Sequence, residues 1–356
     1  MEWITALERF EQLSARWDRL AERERTPFAL HAWMSAWWDA FAAGRRLQIC
    51  ALWREDELVG VFPACAGRGR WEAMANGETE AFRPLARDGP ALVRLVETVV
   101  EAAPSQLILP ALSPQEPALG ALESASSYAG RWTVVEPQSP SVIADTGGEL
   151  AEYVSRINKE RWAAVQRRRR KLEREHQPTF RCVEEPYDSA RQLQQYLEIE
   201  ASGWKGRRGT AILCSPAMER FYRSIARSFE VAGALRFSEI AIKERPIAFE
   251  LQLQHAGRLF VLKRGYDERY RRLGPGMVLQ GAVIVRCFEL GLEAYEFLGE
   301  DEPHKRRFAT SERTHCTLRS YQRRPVSGAR YLYRRRVRPV LKRVYRYGLR
   351  RFGKRP

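Results

Sequence analysis

The chain has 356 residues, 44% of them hydrophobic and 11% aromatic, with 60 Lys and Arg against 44 Asp and Glu and a formal net charge of +16. The apolar and aromatic share excludes a largely disordered chain, and the length suits two ordinary domains or one large one. The charge is uneven: residues 322–356 hold 14 Lys and Arg and no acid, so the first 321 residues carry only +2.

Leu7, Phe10, Leu13, Trp17 and Leu20 recur at helical spacing and predict a helix over 5–23. A second is predicted over 28–42, rich in Trp33, Trp37, Trp38 and Phe41. Strands at 47–53 and 58–64 flank the charged turn Arg54-Glu55-Asp56-Glu57. A Gly/Arg loop at 66–71, a helix at 91–103, a Pro-rich loop over 104–117, and a short strand with a Pro/Ser connection at 132–144 follow. Pro137, Pro140, Gly147 and Gly148 place a domain boundary near 137–147.

The second half opens on a long helix, 149–176, made basic by Lys159, Arg161 and the run Arg167 to Lys171. Helices at 187–203 and 215–231 come next. The pattern then turns to period two. In 245–254, Ile247, Phe249, Leu251 and Leu253 alternate with Ala248, Glu250, Gln252 and Gln254, which predicts a half-buried strand. With 235–242 before it and 258–266 after it, this makes an antiparallel meander. Gly274-Pro275-Gly276, a helix over 276–290 and a strand over 293–299 close the unit. The hairpin at 47–64 echoes that of the meander, which permits a duplicated fold with one half specialised for chemistry.

Six cysteines (Cys50, Cys65, Cys182, Cys214, Cys287 and Cys316) lie far apart in the sequence. They read as buried free thiols in a reducing compartment, not as a zinc site or a disulfide framework. The N-terminus lacks the charge order of a signal peptide, and no stretch approaches the ~18 apolar residues of a membrane span. The expectation is a cytoplasmic protein with no bound metal.

The turn Arg271-Arg272-Leu273-Gly274-Pro275-Gly276 fits R-x-x-G-x-G. Glycines let a ligand approach the backbone, and the first turn of a helix offers unpaired N–H groups and the positive end of its dipole. A pyrophosphate suits such a place, with Arg271 or Arg272 adding charge. The plain alternative is a strand-to-helix turn with solvent-facing arginines.

The order meander, glycine turn, helix, strand resembles the GNAT acyltransferase fold, in which this turn holds the pyrophosphate of acyl-CoA. Three longer segments, SGWKGRRGTAI (202–212), LKRGYDERYRRLGPGMVL (262–279) and YEFLGEDEPHKRRF (295–308), together resemble its CelD-like branch. That branch is named for cellulose biosynthesis and is related to FemAB-type transferases. The resemblance is carried by Trp204-Lys205-Gly206, by Tyr266-Asp267 with Tyr270 and Pro275-Gly276, and by Phe297-Leu298-Gly299 with Asp301 and Lys305. The basic helix at 158–175 resembles the family's opening segment, and the first half resembles its usual partner half. His304 departs from the pattern, where an aromatic is common. The resemblance implies an α+β chain of two GNAT-like halves, 1–145 and 146–325, each a mixed, mainly antiparallel sheet flanked by helices. A basic amphipathic tail, 326–356, follows them.

It also implies transfer of an acyl group, from acetyl-CoA or another acyl-CoA, to an amine or hydroxyl of a sugar-linked or envelope-polysaccharide acceptor. Such a transfer needs a base, an oxyanion or thiolate stabiliser, and positioning. Glu250 is a base if its strand face lines a cleft, and otherwise an exposed strand carboxylate. Tyr266 and Asp267 are set to serve the leaving thiolate, or are a packed tyrosine and a turn aspartate. Arg271, Arg272, Gly274, Pro275 and Gly276 are the donor-binding set. Trp204, Lys205, Lys263, Asp301 and Lys305 are the acceptor-side set, each with a structural alternative. Two other functions fit the basic helix and tail: aminoacyl transfer from tRNA, and a non-catalytic scaffold for polysaccharide biosynthesis. The tail itself suits an anionic membrane surface at the inner face of the cell membrane, an acidic patch of the same protein, or disorder.

Overall fold

The computed structural model describes residues 1–338, 340 and 341; residues 339 and 342–356, the end of the expected basic tail, lie outside them. The chain forms two compact units that interleave along the sequence. One contains Met1–Ala21, Gly44–Gln138 and the chain from His315; the other contains Glu22–Ala43 and Ser139–Thr314. The boundary expected near 137–147 meets one crossing, between Gln138 and Ser139. A plain division into 1–145 and 146–325 puts residues 22–43, 139–145 and 315–325 with the unit they do not join.

In the first unit, a four-stranded sheet pairs Glu2–Ile4, Ile49–Arg54, Glu57–Phe62 and Leu85–Ala86. A six-stranded sheet runs Arg46–Leu47, Ala64–Gly67, Arg70–Ala73, Gln106–Leu112, Cys316–Tyr321, Trp132–Pro137. The helix expected over 5–23 is two, Leu7–Glu11 and Ser14–Ala21, which still bury Phe10 and Trp17. The Pro-rich stretch expected as loop contains the strand Gln106–Leu112. Its register against Cys316–Tyr321 shifts between Leu109 and Leu112, so Pro110 and Ala111 fall in a bulge, and Ala111 takes a φ of 57°. A bulge is where a strand tolerates a residue without an N–H.

The described part of the basic tail is helical over Pro325–Leu332 and through the turn Tyr333–Val337. It packs on its own unit. Tyr331 stacks on Trp132 with ring centroids 5.2 Å apart. Glu136 receives Arg319 at 2.8 Å and also pairs with Arg334 and Arg338. Burial pushes the Glu136 carboxyl up, and the hydrogen bonds from Arg319 and Arg338 more than reverse that.

In the second unit we number the elements α1 (His31–Phe41), β1 (Ser141–Asp145), α2 (Leu150–Arg156), α3 (Lys159–His176), β2 (Thr179–Glu184), α4 (Ser189–Ser202), α5 (Pro216–Val231), β3 (Leu235–Ile242), β4 (Arg245–His255), β5 (Arg258–Tyr266), α6 (Pro275–Glu289), β6 (Ala294–Glu296) and β7 (Ser311–Arg313). They build a seven-stranded sheet of order β2-β3-β4-β5-β6-β1-β7. The long helix expected over 149–176 breaks at Ile157, because Asn158 caps α3 by accepting the Arg161 N–H at 3.1 Å. Residues 22–43 join this unit through aromatic packing: Trp33 meets Phe28 at 4.6 Å and Phe221 at 5.2 Å, and Phe28 meets Phe260 at 5.9 Å. Burying such side chains contributes about 1.5–3 kcal/mol each.

The meander β3-β4-β5 has the expected boundaries, but β4 is not half-buried. Every residue from Pro246 to Leu253 is buried, because α6 covers one face and α4 the other. The cysteines also differ from expectation: Cys50, Cys65, Cys287 and Cys316 are buried, Cys182 is half-buried and Cys214 is exposed. Among the described residues no helix is long and apolar enough to cross a membrane, and no cluster of His, Cys, Asp and Glu has the makings of a metal site.

Candidate functional site

The site is built where β5 ends. Asp267 terminates the strand: its N–H donates to the Ile247 carbonyl at 2.8 Å, and its carboxylate accepts the Arg269 N–H at 3.0 Å and the Arg269 Nε at 2.9 Å. Those Arg269 contacts hold the Asp267 carboxyl below the usual range. The geometry therefore gives Asp267 a capping role over the 3-10 turn Glu268–Leu273.

Gly274 follows in the left-handed region, with φ of 63°. Its N–H donates to the Arg271 carbonyl at 3.1 Å, and its carbonyl accepts from Met277 at 3.0 Å and Val278 at 3.1 Å. Pro275 has no N–H, so the turn leaves at most the Gly276 amide for an outside anion. The expected reserve of unpaired amides is small, and side chains carry most of the positive charge. Arg271 and Arg272 are exposed. Arg168 of α3 joins them: its Nη1 donates to the Arg272 carbonyl at 3.3 Å and lies 2.9 Å from where a Cβ on Gly274 would stand. Tyr266 is 37% exposed, and its ring lies 3.3 Å from the corresponding position on Gly276.

Beside the turn, one edge of β5 opens. β5 and β6 pair in parallel only over Arg258–Phe260 and Ala294–Glu296, and β5 runs on to Tyr266 with no strand paired there among the described residues. On its other edge, the register with β4 shifts at Leu262. A strand edge of this kind offers backbone groups to an extended ligand carrying amides.

Glu250 lies under α6 and is 1% exposed, so its face lines no open cleft in this structure. Tyr295 Oη donates to its Oε1 at 2.8 Å and Gln252 Nε2 to its Oε2 at 2.8 Å. Gln252 in turn accepts from Ser238 Oγ at 2.9 Å. Burial raises the Glu250 carboxyl, and the charge of Arg264, its cross-strand partner, acts against this. Arg264 Nη1 donates to Gln280 Oε1 at 2.6 Å, and Nη2 meets His304 Nε2. Burial, then Arg264, holds His304 down to about 4, so its ring is neutral near pH 7. Sequence reasoning missed Arg264, Gln280, Tyr295 and the partner of His304. The hairpin register alone places Arg264 opposite Glu250; the other contacts are non-local.

The remaining candidates separate. Lys263 faces α5, with its ammonium 5.2 Å from the Tyr222 ring centroid. Lys205 Nζ donates to the buried Glu200 at 2.6 Å, and Glu200 also accepts the Ile212 N–H at 2.9 Å, so this lysine ties down its own loop. Gly206 sits where a Cβ would come within 1.7 Å of the Ala201 carbonyl oxygen. Trp204 is 46% exposed and is joined to the glycine-turn region: its N–H donates to Glu268 at 2.8 Å, and Arg207 pairs with the same carboxylate at 2.7 Å.

Lys305 is 7% exposed and donates to the carbonyls of Leu298 at 2.7 Å and Glu300 at 2.8 Å, with Glu302 at 3.2 Å. Asp301 is held by Arg306 through two contacts of 2.7 Å, which also keep its carboxyl below the usual range. Both expected acceptor contacts in this loop are thus spent on holding the loop.

Residues 159–306 match the model of the Acetyltransferase (GNAT) domain family. No curated protein matches the chain. Among solved structures, the chain is similar to FemX, with a TM-score of 0.59 and 10% identity over 93% of this chain and 100% of that one. It is similar to L-PGS from Bacillus licheniformis, with a TM-score of 0.57 and 12% identity over 89% of this chain and 94% of that one. The C-terminal domain of a putative lysylphosphatidylglycerol synthetase from Agrobacterium fabrum gives 0.53 and 13%, over 90% and 94%. At these identities the likeness shows the fold: an α+β chain of sheets flanked by helices, whose second unit holds the residues that match the GNAT domain model.

Proposed function

We propose that the chain is an acyl-CoA-dependent acyltransferase of the CelD-like kind. Its acceptor is an amine or hydroxyl on a sugar-linked, envelope-polysaccharide precursor at the inner face of the membrane. The observation that carries the reading is the sequence of β5, the left-handed Gly274 turn and α6 beside an unpaired strand edge. Arg168, Arg271 and Arg272 supply charge for a diphosphate at the turn, where the backbone has few amides left to give. The edge of β5 beyond Phe260 supplies donors and acceptors for the amide-bearing arm of CoA. It also offers N–H groups to the oxygen of a tetrahedral intermediate. When the acceptor attacks the thioester carbonyl and the C–S bond breaks, Tyr266 gives its proton to the thiolate, and the proton that the acceptor loses returns to the Tyr266 phenolate through solvent, leaving free thiol and acylated acceptor. Glu250 acts at a distance, through Arg264 and Tyr295, by fixing the floor under α6. Trp204 presents an aromatic surface to a sugar.

One observation favours a second reading, transfer of an aminoacyl group from tRNA. Arg168 belongs to a helix whose Arg161, Arg167, Arg170 and Lys171 are all exposed, so positive charge lies around the helix as well as at the turn. Titrating the protein with acetyl-CoA and, separately, with aminoacylated tRNA distinguishes them. The proposed function expects saturable heat with acetyl-CoA and, with RNA, at most weak binding lost at raised salt. Tight RNA binding without any response to acetyl-CoA overturns it.

A further inference from the structure

The helical segment after Pro325 has two different faces. One is docked: Ser327 and Tyr331 are buried, and Arg334 and Arg338 pair with Glu136. The other is bare. Leu332, Tyr333, Val337, Val340 and Leu341 are 46–58% exposed, and Tyr333, Val337 and Leu341 recur every four residues. Large apolar side chains recurring on an exposed helical segment mark an interaction surface more firmly than scattered ones do. Arg335 and Arg336, also exposed, stand between Tyr333 and Val337. The sequence beyond Leu341 adds seven more Lys and Arg and no acid.

We propose that this segment seats the protein on an anionic lipid bilayer, with the apolar side chains entering the headgroup boundary and the arginines holding lipid phosphates. Charge complementarity selects the occupant. Nucleic acid would use the arginines but gains little from the aliphatic side chains, and a second copy of this strongly basic segment would be repelled. A negatively charged bilayer rewards both features at once. The docked face fixes which side of the helix is offered, so the segment is pre-set for the surface. This gives a location to the proposed envelope acceptor and rests on that reading only for its biological sense. Lipid binding is read separately from donor binding.

The test is co-sedimentation of the full chain with vesicles of phosphatidylcholine alone and of phosphatidylcholine mixed with phosphatidylglycerol. The protein pellets with the mixed vesicles, is released by high salt, and stays in solution with the neutral ones. The double variant Val337→Glu, Leu341→Glu weakens binding by about tenfold or more, while acetyl-CoA binding and the unfolding temperature stay at the wild-type values. Because both side chains are exposed, the variant keeps its fold, and an unchanged melting curve verifies this. Equal pelleting of wild type and double variant overturns the proposal. So does a wild type that ignores the mixed vesicles, or one that binds RNA with an affinity the double variant leaves untouched.

Discussion

Two motif-bearing loops of the second unit use their charges in opposite ways. The loop after β6 spends its charge internally: Lys305 bonds two carbonyls of its own loop, and Arg306 grips Asp301. The turn between β5 and α6 keeps its charge outward, with Arg271 and Arg272 exposed and Arg168 brought in from a helix a hundred residues earlier in the sequence. Both looked like ligand sites in the sequence. The difference teaches that a lysine or aspartate in a recurring motif holds a loop as readily as a ligand, and that the count of unspent donors separates the two.

Replacing Lys305 by Met should sharpen that contrast most. It removes the donor to the buried Leu298 carbonyl, at about 1–3 kcal/mol, and to the more exposed Glu300 carbonyl at a smaller cost. The unfolding transition should fall by several degrees while acetyl-CoA affinity holds. Loss of donor binding with full stability would move Lys305 back into the site. Arg168→Ala should do the reverse, because the Arg168 side chain is partly exposed and donates to the exposed Arg272 backbone carbonyl. Losing a charge-assisted contact of about 1.5 kcal/mol should weaken acetyl-CoA binding by roughly tenfold, with stability unchanged. An unaltered affinity in calorimetry would break the assignment of the basic helix to the turn.

Glu250→Gln has the smallest expected effect, and pH reads it. Burial raises the folded-state pKa of Glu250, so its stabilising contribution is full below the ordinary glutamate range and is lost as pH rises through the raised value. The variant lacks this dependence. Thermal unfolding across pH should therefore show the variant gaining on wild type as pH rises. Parallel curves would mean that the carboxyl does not titrate with a raised value.

The meander was legible because β4 alternates large apolar side chains with Ala248, Glu250 and Gln252 between short turns, although both its faces are buried, and its boundaries at 235–266 carry over to β3, β4 and β5. The strand Gln106–Leu112 was not, because Pro110 reads as a breaker until the bulge that admits it is seen. The interleaving of the units was hidden too: nothing local in residues 22–43 says that Trp33 packs on Phe221. At the site, the glycine turn was legible from its own residues. Arg168, Gln280, Tyr295 and the His304 contact with Arg264 were not, since each reaches its neighbour across a helix, strand or loop.

The central claim is that the Gly274 turn holds the donor. Gly274 has a φ of 63°, and a side chain there would meet Arg168, so Gly274→Val strikes both the backbone and the arginine. Isothermal titration of wild type and Gly274→Val with acetyl-CoA, alongside their melting curves, tests this most directly. Saturable binding by wild type, lost in a variant that still unfolds cooperatively, is the predicted result. Binding of equal strength by the two proteins would contradict it.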